Sequence, residues 1–490
     1  MPVTTSSPWP TGPTTATPPR TWFALAVLLC GAFMALLDTT IVNVALSSIQ
    51  VGLDSSDATL SWIVSGYALA FGLALIPAGR MGDRYGHRWI FIGGIVLFTL
   101  ASLACVLAQN GAELITARVV AGLGGGIFFA TVAALIQLMF AGAARGKAFA
   151  VLGATIGVST ALGPLAGGLI IEAFGADDGW RLIFAVNLPI GVLTAVAALI
   201  MLPEGEPNAR TGSDWIGLLI ISSALVALLV PLIQGQQEGW PLWTYLAIAA
   251  GVVLLPLFAW WERRIAASGR SPLVPPRLFA HPSFASGSIL ALVYFAAFTS
   301  IFFTLSLLWQ SGLGHSALAT GLMLLPFAVG NTVGAARSDA LAARFGRAVL
   351  VAGLSLLSIG LIALWLILLL ADPSALNSWL LLCPLLIAGI GSGLFIAPNL
   401  DFIVATVDRS DAGAASGVIG TMQRIGSAIG IAVVGSVLFG TLDVVTGGPQ
   451  GVAGAFGHSA TVAMAVSAGF GIVALALVFV LPQHLRADSW

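Results

Sequence analysis

The sequence predicts an all-α membrane protein of fourteen transmembrane helices, and three observations predict it. Apolar residues make up 58% of the 490-residue chain and charged residues only 8%, too little polar surface to cover the several solvated cores of a soluble protein this long. The apolar residues also run continuously for roughly 20 residues at a time, the length a helix needs to cross the hydrocarbon; a transmembrane barrel would alternate over short strands instead. Finally, of the 19 Lys and Arg residues, all but Arg118, Arg181 and Arg424 fall in every second gap between those runs. Basic gaps accumulate on the cytoplasmic side, so the expectation is a multi-pass protein of the cytoplasmic (inner) membrane with both termini in the cytoplasm.

The spans are expected near 21–48, 59–78, 89–108, 112–139, 148–171, 181–202, 214–234, 241–261, 284–309, 317–336, 348–370, 379–398, 413–440 and 459–481. Residues 1–20, rich in Pro, Thr and Ser, read as a disordered cytoplasmic tail rather than a secretory signal, which would carry a basic start and a shorter apolar run. The longest interior polar segments, 203–213 and 262–283, divide the chain into a six-helix domain at 21–203, a linker with two extra spans at 204–283, a second six-helix domain at 284–482 and a short tail at 483–490. Two similar six-helix halves are a common transporter plan.

Span one carries Asp38 within the run Leu37 to Leu46, the one acidic residue well inside a span. An intramembrane carboxylate is costly and marks a functional site. Burial favours its neutral form, so it is suited to bind and release a proton. Thr39, Asn43 and Ser47 add a polar stripe at helical spacing beside it. Arg118 in span four is expected at a comparable depth and is the natural partner. Glu113, five residues earlier, reads as a solvated helix end that can also gate proton access.

Spans two and three are joined by Gly79, Arg80, Met81, Gly82, Asp83, Arg84, Tyr85, Gly86, His87 and Arg88. An acid at a helix N-terminus is favoured by the macrodipole. The arginines can pair with acids of the other half, making a latch that breaks when the halves move. A similar turn, Ala342 to Arg347, follows the second span of the second half, which suggests an internal repeat.

Span five has a small residue nearly every turn, including Gly153, Gly157, Ser159, Gly163, Gly167 and Gly168, and Pro164 is expected to kink it. Cys30, Cys105 and Cys383 lie singly in spans and read as small core residues. His87, His281, His315, His458 and His484 sit at loops or span ends and suggest no metal site. The segment Gly142 to Ala148 looks like a phosphate loop but is one residue short and lacks the Ser or Thr. No basic face suited to nucleic acid stands out.

In this order the residues resemble the major facilitator superfamily, and specifically its fourteen-span drug:proton antiporter family. Leu37 to Leu46 is similar to that family's first-helix signature, and Gly79, Asp83, Arg84, Gly86 and Arg88 match its loop motif, with His87 where a basic residue is usual. Arg118, Gly122 and Gly124 resemble the span-four motif linked to proton transfer, with Ala121 in place of the common Gln. Gly163, Pro164, Gly167 and Gly168 resemble the antiporter motif, with Ser159 where Gly is frequent, and Trp180, Arg181, Ile183, Phe184, Asn187, Pro189 and Gly191 are also like the fourteen-span group.

The resemblance implies a major facilitator fold, two six-helix bundles with two additional helices inserted between them. It implies a proton-coupled exporter of amphipathic drugs or antibiotics, working by alternating access with the proton gradient as its energy source and no cofactor. Small amphipathic substrates, protons and membrane lipids are its expected partners, and a monomer its expected state. An exporter of one endogenous metabolite or lipid is the alternative within transport. A non-transporting membrane sensor is less favoured by the short loops, and an enzyme by the lack of a clustered nucleophile, base or metal set.

Overall fold

The computed structural model describes residues 19–55, 57–204, 214–235, 238–270, 272–373, 376–405, 407–408, 411–442 and 449–480, with the side chains of Asn43 and Ser47 outside that set. The tails expected at 1–20 and 483–490 therefore lie outside the described residues, except that Pro19 and Arg20 open the first helix. Among the described residues, thirteen stretches are long and apolar enough to cross a membrane, and a bent helix makes fourteen.

The first six spans are α1 (Pro19–Gly52), α2 (Asp57–Tyr85), α3 (His87–Leu107), α4 (Gly111–Met139), α5 (Gly142–Phe174) and a pair, α6 (Ala176–Ala185) and α7 (Asn187–Met201). The two inserted spans are α8 (Trp215–Gln234) and α9 (Leu242–Ala267), and a short α10 (Arg277–Ala280) follows. The last six are α11 (Pro282–Leu307), continued by a π turn at Leu308–Gly312, then α12 (Ala317–Phe345), α13 (Ala348–Leu370), α14 (Ser378–Val404), α15 (Ala412–Gly440) and α16 (Pro449–Leu477).

Several helices outrun their apolar stretches. The helix α1 continues to Gly52 and α2 through Tyr85, because a helix satisfies its own backbone whatever its side chains. Expected span six runs on from α6 to α7 through Val186, which keeps helical backbone angles, and Pro189 falls in the first turn of α7. The helix α5 bends by 40° between Gly142–Ser159 and Leu162–Phe174, just before Pro164, whose ring removes the bond to the carbonyl one turn earlier.

Within the first block, α4 lies between α2 and α3, while α1 lies against α5 and α7. The second block repeats this plan, with α14 between α12 and α13. The repeat extends to atomic detail. Gly122 and Gly126 of α4 rest on the Tyr67 and Phe71 carbonyls of α2, and Gly389 and Gly393 of α14 rest on the Phe327 and Asn331 carbonyls of α12. At both places a Cβ would collide with backbone, so small residues set the helix separation. The two similar basic turns also match: Gly86 and Gly346 have φ of 95° and 54°, and Arg84 and Arg344 lie over their neighbours Tyr85 and Phe345, each 5.1 Å from the ring centroid.

The blocks meet along α5 with α12 and α2 with α15, and α8 touches both α2 and α15 while pairing with α9. Leu246, Val252, Val253 and Leu257 leave α9 with an exposed apolar face, as a helix against lipid requires. The cysteines correct one expectation. Cys105 is buried, but Cys30 and Cys383 are exposed on their helices; a span that is apolar all round gives no sign of which face turns inward.

Candidate functional site

The centre of the first block holds a buried ion pair. Asp38 sits near the middle of α1 and Arg118 two turns into α4, and the Arg118 Nη1 donates to Asp38 Oδ2 at 2.5 Å. Both residues are 1% exposed. The other carboxylate oxygen, Oδ1, accepts from the Asn187 Nδ2 at 2.9 Å, and that amide also reaches Ser102 Oγ at 3.3 Å. The Arg118 Nε donates to the Ile63 carbonyl at 3.3 Å. Its guanidinium lies over the Tyr67 ring at 4.0 Å and the Phe184 ring at 5.5 Å. Tyr67 in turn donates to the Ala35 carbonyl, one turn before Asp38 in α1.

Each helix contributes for a local reason. Gly122 and Gly126 bring α4 against the α2 backbone near Tyr67, which lets Arg118 reach across to α1. Gly163 of α5 lies under Thr40, where a Cβ would strike its hydroxyl, so the antiporter-like stretch holds α1 and Asp38 in place. Asn187 is the first residue of α7, next to Val186, and its amide enters the site from there. A charge in mid-span costs about 2.5–3.5 kcal/mol on insertion scales. Removing one partner of a buried pair costs about 3–5 kcal/mol, since the other is left uncompensated.

Of the expected members, Asp38 and Arg118 meet directly. Thr39 is half-buried and donates to the Ala35 carbonyl at 2.8 Å, the same carbonyl that Tyr67 uses. The Asn43 side chain lies outside the described residues. Glu113 is exposed and does not join them. It closes the N-terminus of α4, with Oε2 accepting the Gln109 amide at 2.9 Å and Oε1 the Asn110 Nδ2 at 2.7 Å, while its own amide donates to Asn110 Oδ1 at 3.0 Å, a reciprocal cap. Asn187 and Tyr67 were not expected. The seven-residue pattern that includes Asn187 was the one signal for it; Tyr67 carries none beyond being one of 4 tyrosines.

A second set of contacts joins the blocks at the end that carries the arginine-rich turns. Because α2 runs on to Tyr85, Asp83 lies in its last turn rather than ahead of α3. The helix N-terminus it serves belongs to the other block: Asp83 Oδ1 accepts the Gly413 amide at 2.9 Å and Oδ2 the Ala414 amide at 3.1 Å, both in the first turn of α15. Arg80 and His87 flank the carboxylate at 3.7 Å and 3.2 Å, so His87, at the span end where it was expected, is also part of this cluster. Gly79 touches the Gly413 carbonyl so closely that a Cβ would not fit. Arg84 lies against Tyr85. Arg88 corrects the expected pattern: it binds Glu204 at 2.9 Å and the Leu199 carbonyl at 2.6 Å, tying α3 to the end of α7 within its own block.

The turn between α14 and α15 is held from three further directions. Gln137 of α4 donates to the Val404 and Val407 carbonyls at 3.1 Å and 3.0 Å. Arg145 of α5 pairs with Asp401 at 2.6 Å. Arg277 of α10 binds Asp411 at 2.7 Å through Nε. Burial pushes the Asp411 carboxyl above its ordinary range, and Arg277 and Arg80 pull it back.

The remaining small residues of α5 meet α12. Gly157 faces Asn331, whose Nδ2 donates to the Gly153 carbonyl at 3.1 Å, and Gly168 faces Leu318. Gly167 is buried beside it. Arg181, at the start of expected span six, caps the end of α3 through the Val106 and Ala108 carbonyls, each at 2.7 Å.

Comparison with known proteins identifies the family. Residues 28–431 match the family model described as Major Facilitator Superfamily. The probable actinorhodin transporter of Streptomyces coelicolor is 37% identical over 89% of this chain and 76% of its own length. The cephamycin export protein CmcT of Amycolatopsis lactamdurans is 34% identical over 94% of this chain and 93% of its own. Among solved structures, the proton:xylose symporter XylE aligns with a TM-score of 0.64 at 15% identity, covering 95% of this chain and 96% of that one. The chain thus belongs to the Major Facilitator Superfamily and is a multi-pass membrane transporter rather than an enzyme.

Proposed function

We propose that this transporter is a proton-coupled exporter of amphipathic drugs or antibiotics, working by alternating access across the cytoplasmic membrane. The observation that carries the reading is the Asp38–Arg118 pair, 1% exposed and joined at 2.5 Å within the transmembrane core. A buried carboxylate whose two oxygens accept from a guanidinium and an amide loses both bonds once those donors move. Export of antibiotics is supported by relatives whose names include cephamycin export and puromycin resistance.

In this scheme the basic end faces the cytoplasm and is closed by Asp83 on the first turn of α15. A proton arriving from the outer side neutralises Asp38 and releases Arg118, loosening the contacts between α1, α4 and α7. Loss of the proton to the cytoplasm restores the pair. Because Asp38 is enclosed here by Arg118 and Asn187, its part in the cycle is to carry the proton, with cargo contacts made elsewhere in the cleft. The kinked α5 and its small residues against α12 provide the surface on which the blocks rock. The transporter acts as a monomer among membrane lipids and uses the proton gradient without a cofactor.

The test is an antibiotic-susceptibility panel in a bacterial strain stripped of its own exporters, with and without the chain. Raised resistance to a subset of amphipathic compounds, abolished by a protonophore, is the expected result. No change in resistance or accumulation for any compound would rule the reading out.

A further inference from the structure

Arg118 and Arg424 are the two basic residues inside expected spans away from their ends, and their surroundings differ. Arg118 is enclosed and paired. Arg424 lies 12 positions into α15, roughly 18 Å from the basic end at about 1.5 Å per residue, too far for its side chain to reach the headgroups. It is half-buried, and among the described residues it has no ion pair and no hydrogen bond. Its guanidinium lies over the Phe71 ring of α2 at 4.0 Å. A cation placed in mid-span defaults to a functional role with a partner of opposite charge.

The ring beneath it belongs to a small aromatic group. Phe71 lies 5.9 Å from Tyr67 and 5.6 Å from Phe129, centroid to centroid. One turn towards the basic end, Gly420 and Gly417 of α15 pack on Leu75 of α2, and below them Asp83 closes the seam. Arg424 therefore lies above the closed contact between the blocks, on a ring one turn of α2 from the tyrosine that covers Arg118.

We propose that Arg424 binds an anionic group of the cargo, a carboxylate or sulfonate, while the half-buried Phe129, backed by the buried Phe71 and Tyr67 rings, takes its aromatic body. This deepens the exporter reading and rests on it by naming the cargo class as amphipathic aromatic anions. A guanidinium with no acid of its own presents its donor fork to a planar anion, where a charge-assisted pair is strongest. An aromatic platform under the same cation fits a flat cargo better than an aliphatic one. The neighbouring Tyr67 links cargo occupancy to the enclosure of Arg118, so that binding and proton loading bear on the same few side chains.

The test uses the full-length protein in nanodiscs and two matched probes, naphthalene-2-sulfonate and 2-naphthylmethylammonium, with binding read by titration calorimetry. The unmodified protein is expected to favour the sulfonate by about tenfold or more. Arg424→Gln should weaken sulfonate binding by about tenfold while leaving the ammonium probe within about twofold, and Arg424→Lys should recover part of the loss. Retained binding of the ammonium probe also shows that the variant is folded. Equal affinity for both probes, no measurable sulfonate binding, or an Arg424→Gln variant that still prefers the sulfonate would overturn the assignment. Its failure is separable from failure of the exporter reading: pH-gradient-driven export of a cationic drug without any sulfonate preference refutes only the cargo class, whereas absent export leaves the binding comparison intact.

Discussion

Asp83 and Gly413 stand 330 positions apart in the chain, yet the Asp83 carboxylate accepts the Gly413 amide at 2.9 Å. The contact joins the last turn of α2 to the first turn of α15 and so ties the two six-helix blocks at the basic end. An acid on an exposed helix N-terminus is a modest surface interaction, but this one is buried and takes two amides. Such charge-assisted bonds contribute about 1.5–3 kcal/mol each.

Removing the acid should open that end. Asp83→Ala is expected to shift the balance between closed and open forms by about tenfold or more, slowing transport while cargo affinity stays within about twofold. Spin labels at the exposed positions Met81 and Phe345, one in each block, report it as a new population at longer distance. An unchanged distance distribution would show that Asp83 does not hold the blocks together.

The pair Arg145–Asp401 crosses from α5 to α14 at 2.6 Å and is partly exposed. Arg145→Asp and Asp401→Arg should each impair transport through like-charge contact. The double exchange should recover activity with a coupling of about 0.5–3 kcal/mol. Additive losses in a transport-rate double-mutant cycle would mean that the pair has no role in closing this end.

Asn187 donates one of the bonds that hold the Asp38 carboxylate. Asn187→Ala leaves Oδ1 of that buried carboxylate without its amide donor and is expected to slow gradient-driven transport by about tenfold. Asn187→Gln tests whether any amide suffices. Gradient-driven transport at the unmodified rate in the alanine variant would show that this bond has no part in coupling.

Much of this was legible before the structure. A carboxylate and a guanidinium in otherwise apolar runs stand out because lipid tolerates so few of them, and Asp38 and Arg118 do meet. Glu113 was less distinctive, since an acid near a helix start serves equally as a gate or a cap, and the chain uses it as a cap. Asn187 was marked only by the pattern it belongs to, because a neutral amide in a span gives no sign of which partner it faces. The partner of Asp83 could not be read at all, because it is two backbone amides of α15, which have no residue-type signature. Apolar all-round helices likewise conceal which face is buried, hence the exposed Cys30 and Cys383.

The central claim is that Asp38 carries the coupling proton, and it is tested most directly in inside-out vesicles loaded with the protein and a drug from the susceptibility panel. The variant is Asp38→Asn, which keeps the side-chain shape but cannot ionise. Since it leaves Arg118 without its counter-charge, a thermal melt must first show that the protein is folded. The account predicts that a pH gradient no longer drives accumulation in Asp38→Asn, while downhill exchange of the drug continues. Gradient-driven accumulation equal to that of the unmodified protein would contradict it.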